Sequence, residues 1–236
     1  MTAPTEALTI AVCDGVEVSA LLQSPARASA CYVLAHGAGA GMTHRFLETA
    51  AAELARRGIA TLRYNFPFME RRAGRVDPPA LAHATVRAAV AAAARLVPDL
   101  PLVAGGKSFG GRMTSQAQAA SPLPQVRGLA FLGFPLHPAK RPSAERAAHL
   151  AAVQVPMLFL QGTRDALADL DQLRPVCEGL GRRATLRAFE GADHAFHVPA
   201  RSGRKDAEVL AEILDALAAW TMALISGAGP SRDPGA

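Results

Sequence analysis

From residue 31 onward, short runs that are apolar at nearly every position alternate with longer segments of helical spacing. The short runs are CYVLAH (31–36), IATLRYN (59–65), PLVAGG (101–106), VRGLAFLGF (126–134), PMLFLQG (156–162) and TLRAFEG (185–191). A strand with no polar face must be covered on both sides, which is the situation of a parallel sheet. The intervening segments supply the cover. FLETAAAELARRG reads as a helix stopped by Gly58, and residues 80–97, 110–120, 143–152 and 169–180 read as further helices. In the closing helix Val209, Leu210, Ile213, Leu214, Leu217, Trp220 and Leu224 are spaced for one buried face. Ahead of this pattern, residues 8–12 and 16–22 flank Asp14-Gly15, a hairpin-like turn. Strands alternating with helices make βαβ units, so the expected class is α/β with a mainly parallel sheet.

Composition narrows the setting. A chain of 236 residues that is 50% hydrophobic and only 19% charged has the apolar content for a sizeable core and is not a disordered polymer. A single domain over residues 1–225 is expected, with the Ser226–Ala236 tail (SGAGPSRDPGA) disordered. No apolar run reaches the roughly 18 residues of a membrane helix, and the best candidate, 209–225, is interrupted by Glu212 and Asp215. Met1 to Asp14 lacks the basic start and apolar stretch of a secretory signal, so a cytoplasmic protein is expected. The net charge is +5, but the 22 arginines among its 25 basic residues are scattered along the chain. Nucleic-acid binding would cluster them on one face, so no nucleic-acid partner is expected. Cys13, Cys31 and Cys177 form no CxxC pair, which argues against a disulfide framework or a structural zinc site.

In parallel sheets, sites form beyond the carboxyl ends of the strands. The loop after 101–106 reads Gly106-Lys107-Ser108-Phe109-Gly110, a G-x-S-x-G between a strand and a helix. Small residues permit the sharp turn that lifts the Ser108 hydroxyl above the sheet, with the Phe109 N–H facing the same space. A phosphate loop ending in Gly106-Lys107-Ser108 is the rival, but its first glycine would fall on Pro101, inside the strand. A serine hydroxyl needs a base to take its proton. His194, just past the last strand, is the candidate, with His197 its nearby competitor. The imidazole needs a carboxylate, and Asp165 is the first acid beyond strand 156–162. Asp169 and Asp171 read better as residues of a helix start, and Asp193 as the cap of a turn. The chain order Ser108, Asp165, His194 is that of the α/β-hydrolase arrangement. A second oxyanion donor is expected from His36-Gly37-Ala38-Gly39-Ala40-Gly41, with Ala38 the first candidate and Gly39 the second, and with His36 bracing the loop.

HGAGAG, GGKSFGGRM, GTRD and GADHAF together resemble the α/β-hydrolase superfamily in its dienelactone-hydrolase-like branch. They are most similar to the group containing testis-expressed protein thirty and the third regulatory subunit of the non-specific lethal complex. The similarity spans residues 8–225, and its most particular feature is Lys107 before the serine. The resemblance implies a mostly parallel eight-stranded α/β-hydrolase sheet and a Ser-acid-His site on Ser108, Asp165 and His194. It supplies no substrate, and some relatives serve as scaffold subunits. A catalytically silent interaction module is therefore the alternative to an enzyme.

Only about 20 residues separate strands 126–134 and 156–162, so no large cap fits and an open site for a small or medium acyl substrate is expected. In the loop 64–79, Phe66, Phe68 and Met69 are candidates to line an acyl pocket, and Arg71, Arg72 and Arg75 to bind an anionic group. The opposing reading packs the phenylalanines into the core and leaves the arginines solvated. The expected chemistry is double displacement through an acyl-enzyme on ester, thioester or small amide substrates, needing neither metal nor organic cofactor.

Overall fold

The computed structural model describes residues 3–227. The tail expected from residue 226 lies, from 228 onward, outside the described residues. Eight strands form one sheet: β1 (Thr5–Cys13), β2 (Val16–Gln23), β3 (Ala30–Ala35), β4 (Ile59–Tyr64), β5 (Leu102–Lys107), β6 (Val126–Leu132), β7 (Met157–Gly162) and β8 (Ala184–Phe189). Their spatial order is β1-β2-β4-β3-β5-β6-β7-β8. The β1–β2 and β2–β4 pairings are antiparallel and all others parallel. The helices are α1 (Arg45–Arg56), α2 (Pro67–Glu70), α3 (Pro79–Leu96), α4 (Phe109–Ala120), α5 (Leu170–Leu180) and α6 (Asp206–Ile225).

The uniformly apolar strands divide their side chains between two cores. Cys31, Val33 and Ala35 of β3 pack into the layer that holds α3, α4 and α5, whereas Tyr32 and Leu34 face the layer of α1 and α6. Because side chains alternate across a strand, both parities must be apolar, and every residue of β3 and β7 is buried. The buried Tyr32 hydroxyl donates to the Ala130 carbonyl at 2.8 Å, so it is not left unpaired.

Two elements depart from expectation. The 64–79 segment contains α2, a single turn opened by Pro67 at its first position, where the missing N–H is no loss. Residues Glu145–Ala152 form a 3₁₀ helix rather than an α-helix. That 3₁₀ helix is all the regular structure between β6 and β7, and no cap covers the sheet's carboxyl edge there. Among the described residues no helix is long and apolar enough to cross a membrane.

Strand order reverses between β3 and β5: β4 follows β3 on one side, and β5 lies on the other. The loops leaving these two neighbours diverge and open a crevice. That places the HGAGAG loop and the G-x-S-x-G turn together.

Candidate active site

Ser108 sits between β5 and α4 with φ 50° and ψ −115°. This is a costly conformation for a residue with a side chain, held only because its surroundings over-determine it. The two motif glycines show what does so. A Cβ on Gly106 would lie 2.3 Å from the Ala35 carbonyl oxygen, and one on Gly110 would lie 2.5 Å from the His36 oxygen and 2.6 Å from Ala35 Cβ. The first turn of α4 is thus pressed against the end of β3, and only glycine fits the contact.

Three loops converge on the serine. His194 Nε2 lies 2.8 Å from Ser108 Oγ, and its Nδ1 lies 2.7 Å from Asp165 Oδ2. A carboxylate only accepts, so Nδ1 carries the proton and Nε2 is free to accept from the hydroxyl. The Asp165 side chain is fully buried while His194 remains a quarter exposed. Asp165 also accepts from Gln161 Nε2 at 2.5 Å and from the Leu167 N–H at 2.8 Å. Gln161 is itself held by the Phe134 N–H, which donates to its Oε1 at 2.8 Å. His137 secures the same loop: its N–H donates to the Leu167 carbonyl and its Nε2 accepts from the Asp169 N–H.

His197 does not reach the serine. It is exposed and pairs with Asp206 at 2.6 Å, which holds its pKa above the ordinary histidine value. Asp193 accepts from the Ala195 and His197 N–H groups and caps that turn, while Asp169 caps α5.

The HGAGAG loop is braced as expected. His36 is fully buried, with Nδ1 2.6 Å from the Gly37 carbonyl and Nε2 accepting from the Phe66 N–H at 2.9 Å. Burial pushes its pKa down to about 4, so it is neutral. Gly37 stands directly beside the Ser108 turn, a Cβ there lying 3.8 Å from Ser108 Cβ. Ala38 and Gly39 follow, exposed on the cavity wall. Phe109 is the first residue of α4, so its N–H has no intrahelical acceptor.

The substrate-binding expectation needs correction. Phe66 and Phe68 are buried and do not line the cavity beside Ser108. Their rings pack edge-on against His36 and Phe109, behind the two loops that hold the candidate oxyanion donors. Arg71 turns away to pair with the buried Asp77 at 2.6 Å, and Asp77 also accepts from the Phe68 N–H. Arg72 and Arg75 are exposed, and neither lines the cavity. The cavity opens on the opposite face of the sheet. It measures about 780 Å³ and is walled by Phe46 and Leu47 of α1, Leu210 of α6, Leu167 and Phe196, with Lys107 and Ser108 at its wall. Phe46 and Phe196 stack at 6.0 Å.

Sequence reasoning missed Gln161, His137 and Gly133. Gly133 has φ 72°, and a Cβ there would lie 2.9 Å from Lys107 Nζ and 3.5 Å from the His194 ring. Gln161, a polar residue at the end of an otherwise apolar run, was the one signal available.

A family model described as "Alpha/beta hydrolase domain" matches residues 28–222. The chain belongs to the α/β-hydrolase family. Solved structures agree with that fold. A dienelactone hydrolase from Anabaena variabilis superposes with a TM-score of 0.74 at 20% identity, over 94% of this chain and 98% of that one. A Xanthomonas campestris serine hydrolase described as lacking a lid gives 0.68 at 21% identity, over 99% of each chain. Est1E from Butyrivibrio proteoclasticus gives 0.70 at 16% identity, over 93% of this chain and 99% of its own. In this α/β-hydrolase the serine turn, the acid loop and the histidine loop stand after β5, β7 and β8.

Proposed function

We propose that this α/β-hydrolase is a serine hydrolase that cleaves small or medium acyl esters or thioesters through an acyl-enzyme. The observation that carries the reading is the continuous relay from Ser108 Oγ through His194 to Asp165, at 2.8 and 2.7 Å. Nothing in folding requires a strained, partly exposed serine to meet a histidine whose far nitrogen is bonded to a buried carboxylate.

In the proposed reaction Ser108 Oγ attacks the acyl carbonyl carbon while His194 Nε2 takes its proton. Asp165 stabilises the imidazolium, itself restrained by Gln161 and the Leu167 N–H. The Phe109 and Ala38 N–H groups hold the developing oxyanion, with Gly39 the alternative donor; losing one such donor costs about 10²–10³ in rate. Collapse breaks the bond to the leaving group, which takes its proton from His194. Water, deprotonated by His194, then releases the acid and restores the serine. The cavity walled by Phe46, Leu167, Phe196 and Leu210 suits an apolar acyl or alcohol chain. The resemblance of GGKSFGGRM and its companion motifs to the testis-expressed protein thirty group belongs to the same reading.

A fluorophosphonate probe tests it, followed by a p-nitrophenyl ester panel of increasing chain length. Wild type is expected to label and to turn over. Ser108→Ala is expected to lose labelling and at least about 10³-fold in kcat. A folded wild type that neither labels nor hydrolyses any ester would overturn the reading in favour of a silent module.

A further inference from the structure

Lys107 has no part in the proposed chemistry, yet it stands in the middle of it. It is only partly exposed, on the wall of the cavity. Its ammonium donates to the His194 carbonyl oxygen at 2.5 Å and lies 5.1 Å from the centroid of the buried Phe196 ring. Both contacts are on the loop that carries the base, although 87 residues separate Lys107 from His194. On the other side it borders the bare Cα of Gly133, the same point that the His194 ring approaches. A side chain at 133 would crowd the ammonium, while the His194 ring would sit at ordinary contact distance from it.

We propose that Lys107 is a positioning residue for His194: its ammonium straps the histidine loop to the nucleophile turn and is the positive charge that the imidazole meets. This role rests on the proposed hydrolase reading and gives the lysine that precedes the serine its place in that site. The backbone of this loop is also held by the Asp193 turn, by the Asp206 contacts at His197 and Val198, and by the loop after β7 through the Thr163 hydroxyl and the Arg164 N–H, which donates to the Ala192 carbonyl. The Lys107 ammonium adds a tie from that backbone to the end of β5. A lysine can do so because its long stem reaches across the turn while its donors and its charge address a carbonyl and an aromatic face.

The charge is as important as the hydrogen bond. The titratable groups facing Lys107 are Asp165 from the loop after β7, and Asp193 and His194 from the loop after β8; β6 and the turn after it meet it with Leu132 and Gly133, which do not titrate. The same cavity is lined by His44, Arg45 and the His197–Asp206 pair. Desolvation lowers the Lys107 pKa to about 8, against the pull of Asp165 and Asp193. The strap is therefore charged at neutral pH and loses its charge just above it.

The test follows the His194 ring Cε1–H signal by NMR from pH 4 to 10, assigned by its loss in His194→Gln. It needs no turnover. Wild type is expected to show a second inflection near pH 8, where Lys107 releases its proton. Lys107→Met should abolish that inflection. On activity, Lys107→Met should lower kcat by about tenfold with KM within about twofold, the signature of a misplaced base rather than a lost binding contact. A wild-type signal with a single inflection would overturn the proposal without any variant. So would superposable wild-type and Lys107→Met curves, even if the variant's melting temperature fell. Fluorophosphonate labelling of the same wild-type sample tests the hydrolase reading separately, so failure of either idea is distinguishable from failure of the other.

Discussion

His36 is a histidine whose protonation would dismantle its own surroundings. Its Nε2 can only accept from the Phe66 N–H, and its Nδ1 can only donate to the Gly37 carbonyl. An added proton at Nε2 would place two N–H groups face to face. Burial accordingly lowers its pKa to about 4, whereas the unfolded chain would titrate near the ordinary 6.5. Between those values the unfolded state binds the extra proton, so stability rises with pH through this window and is lost as pH falls. Wild type is expected to be about 2 kcal/mol less stable at pH 5 than at pH 7 from this residue alone. His149, also lowered to about 4 by burial, adds to the effect with the same sign. Urea unfolding at the two pH values checks this, and His36→Asn should flatten the dependence in part. The role of His36 as a brace was legible from its place ahead of the glycine loop. Its partner in Phe66 was not, because 30 residues separate them.

The decisive element is the β5–α4 turn, because it is a packing contact as well as the seat of the proposed nucleophile. Gly110 fits against β3 with no room for a methyl group, whereas nothing stands within 4 Å of a Cβ on Gly39. Gly110→Ala is therefore expected to cost about 1–3 kcal/mol or more, since the obstacles are backbone atoms that cannot rotate away. Gly39→Ala should leave stability within about 0.5 kcal/mol. Thermal or denaturant unfolding of the pair decides, and equal losses would mean that β3 and α4 are not pressed together. Element boundaries were legible where apolar periodicity was strong, as in β3, β5, β7 and α6. The α2 turn was not, since four residues opened by Pro67 carry no periodicity. The segment 145–152 has helical spacing, but its backbone settles as 3₁₀ helix with only Ala147 and Leu150 buried, too small an apolar face to enforce an α-helix.

At the scale of the whole molecule, the sheet separates the aromatic packing behind the Ser108 loops from the cavity. Phe66, Phe68 and Phe109 lie in the core with α3, α4 and α5, while the cavity takes its walls from the α1 and α6 layer. The two faces should respond differently to substitution. Leu210→Trp, which fills the cavity, is expected to lower kcat/KM for long-chain esters by about tenfold or more while sparing acetate esters. Phe68→Ala should instead cost about 3–5 kcal/mol of stability, with no change in chain-length preference. An ester panel on both variants, beside their melting curves, measures this; a chain-length shift in Phe68→Ala would return the acyl pocket to the 64–79 loop.

By itself the sequence determined the α/β class, the strand and helix sequence, and the three residues worth placing together, because those depend on local periodicity and on residues that follow strand ends. Tertiary structure decided everything that depends on distance across the chain. It joined Lys107 to His194, set Gln161 and His137 around the acid, and turned Arg71 onto Asp77. It also put the cavity on the α1 and α6 side rather than beside Phe66 and Phe68. Apolar residues that follow a strand look alike in sequence whether they wall a pocket or fill a core. Only the direction in which the packed layers turn them tells the two apart.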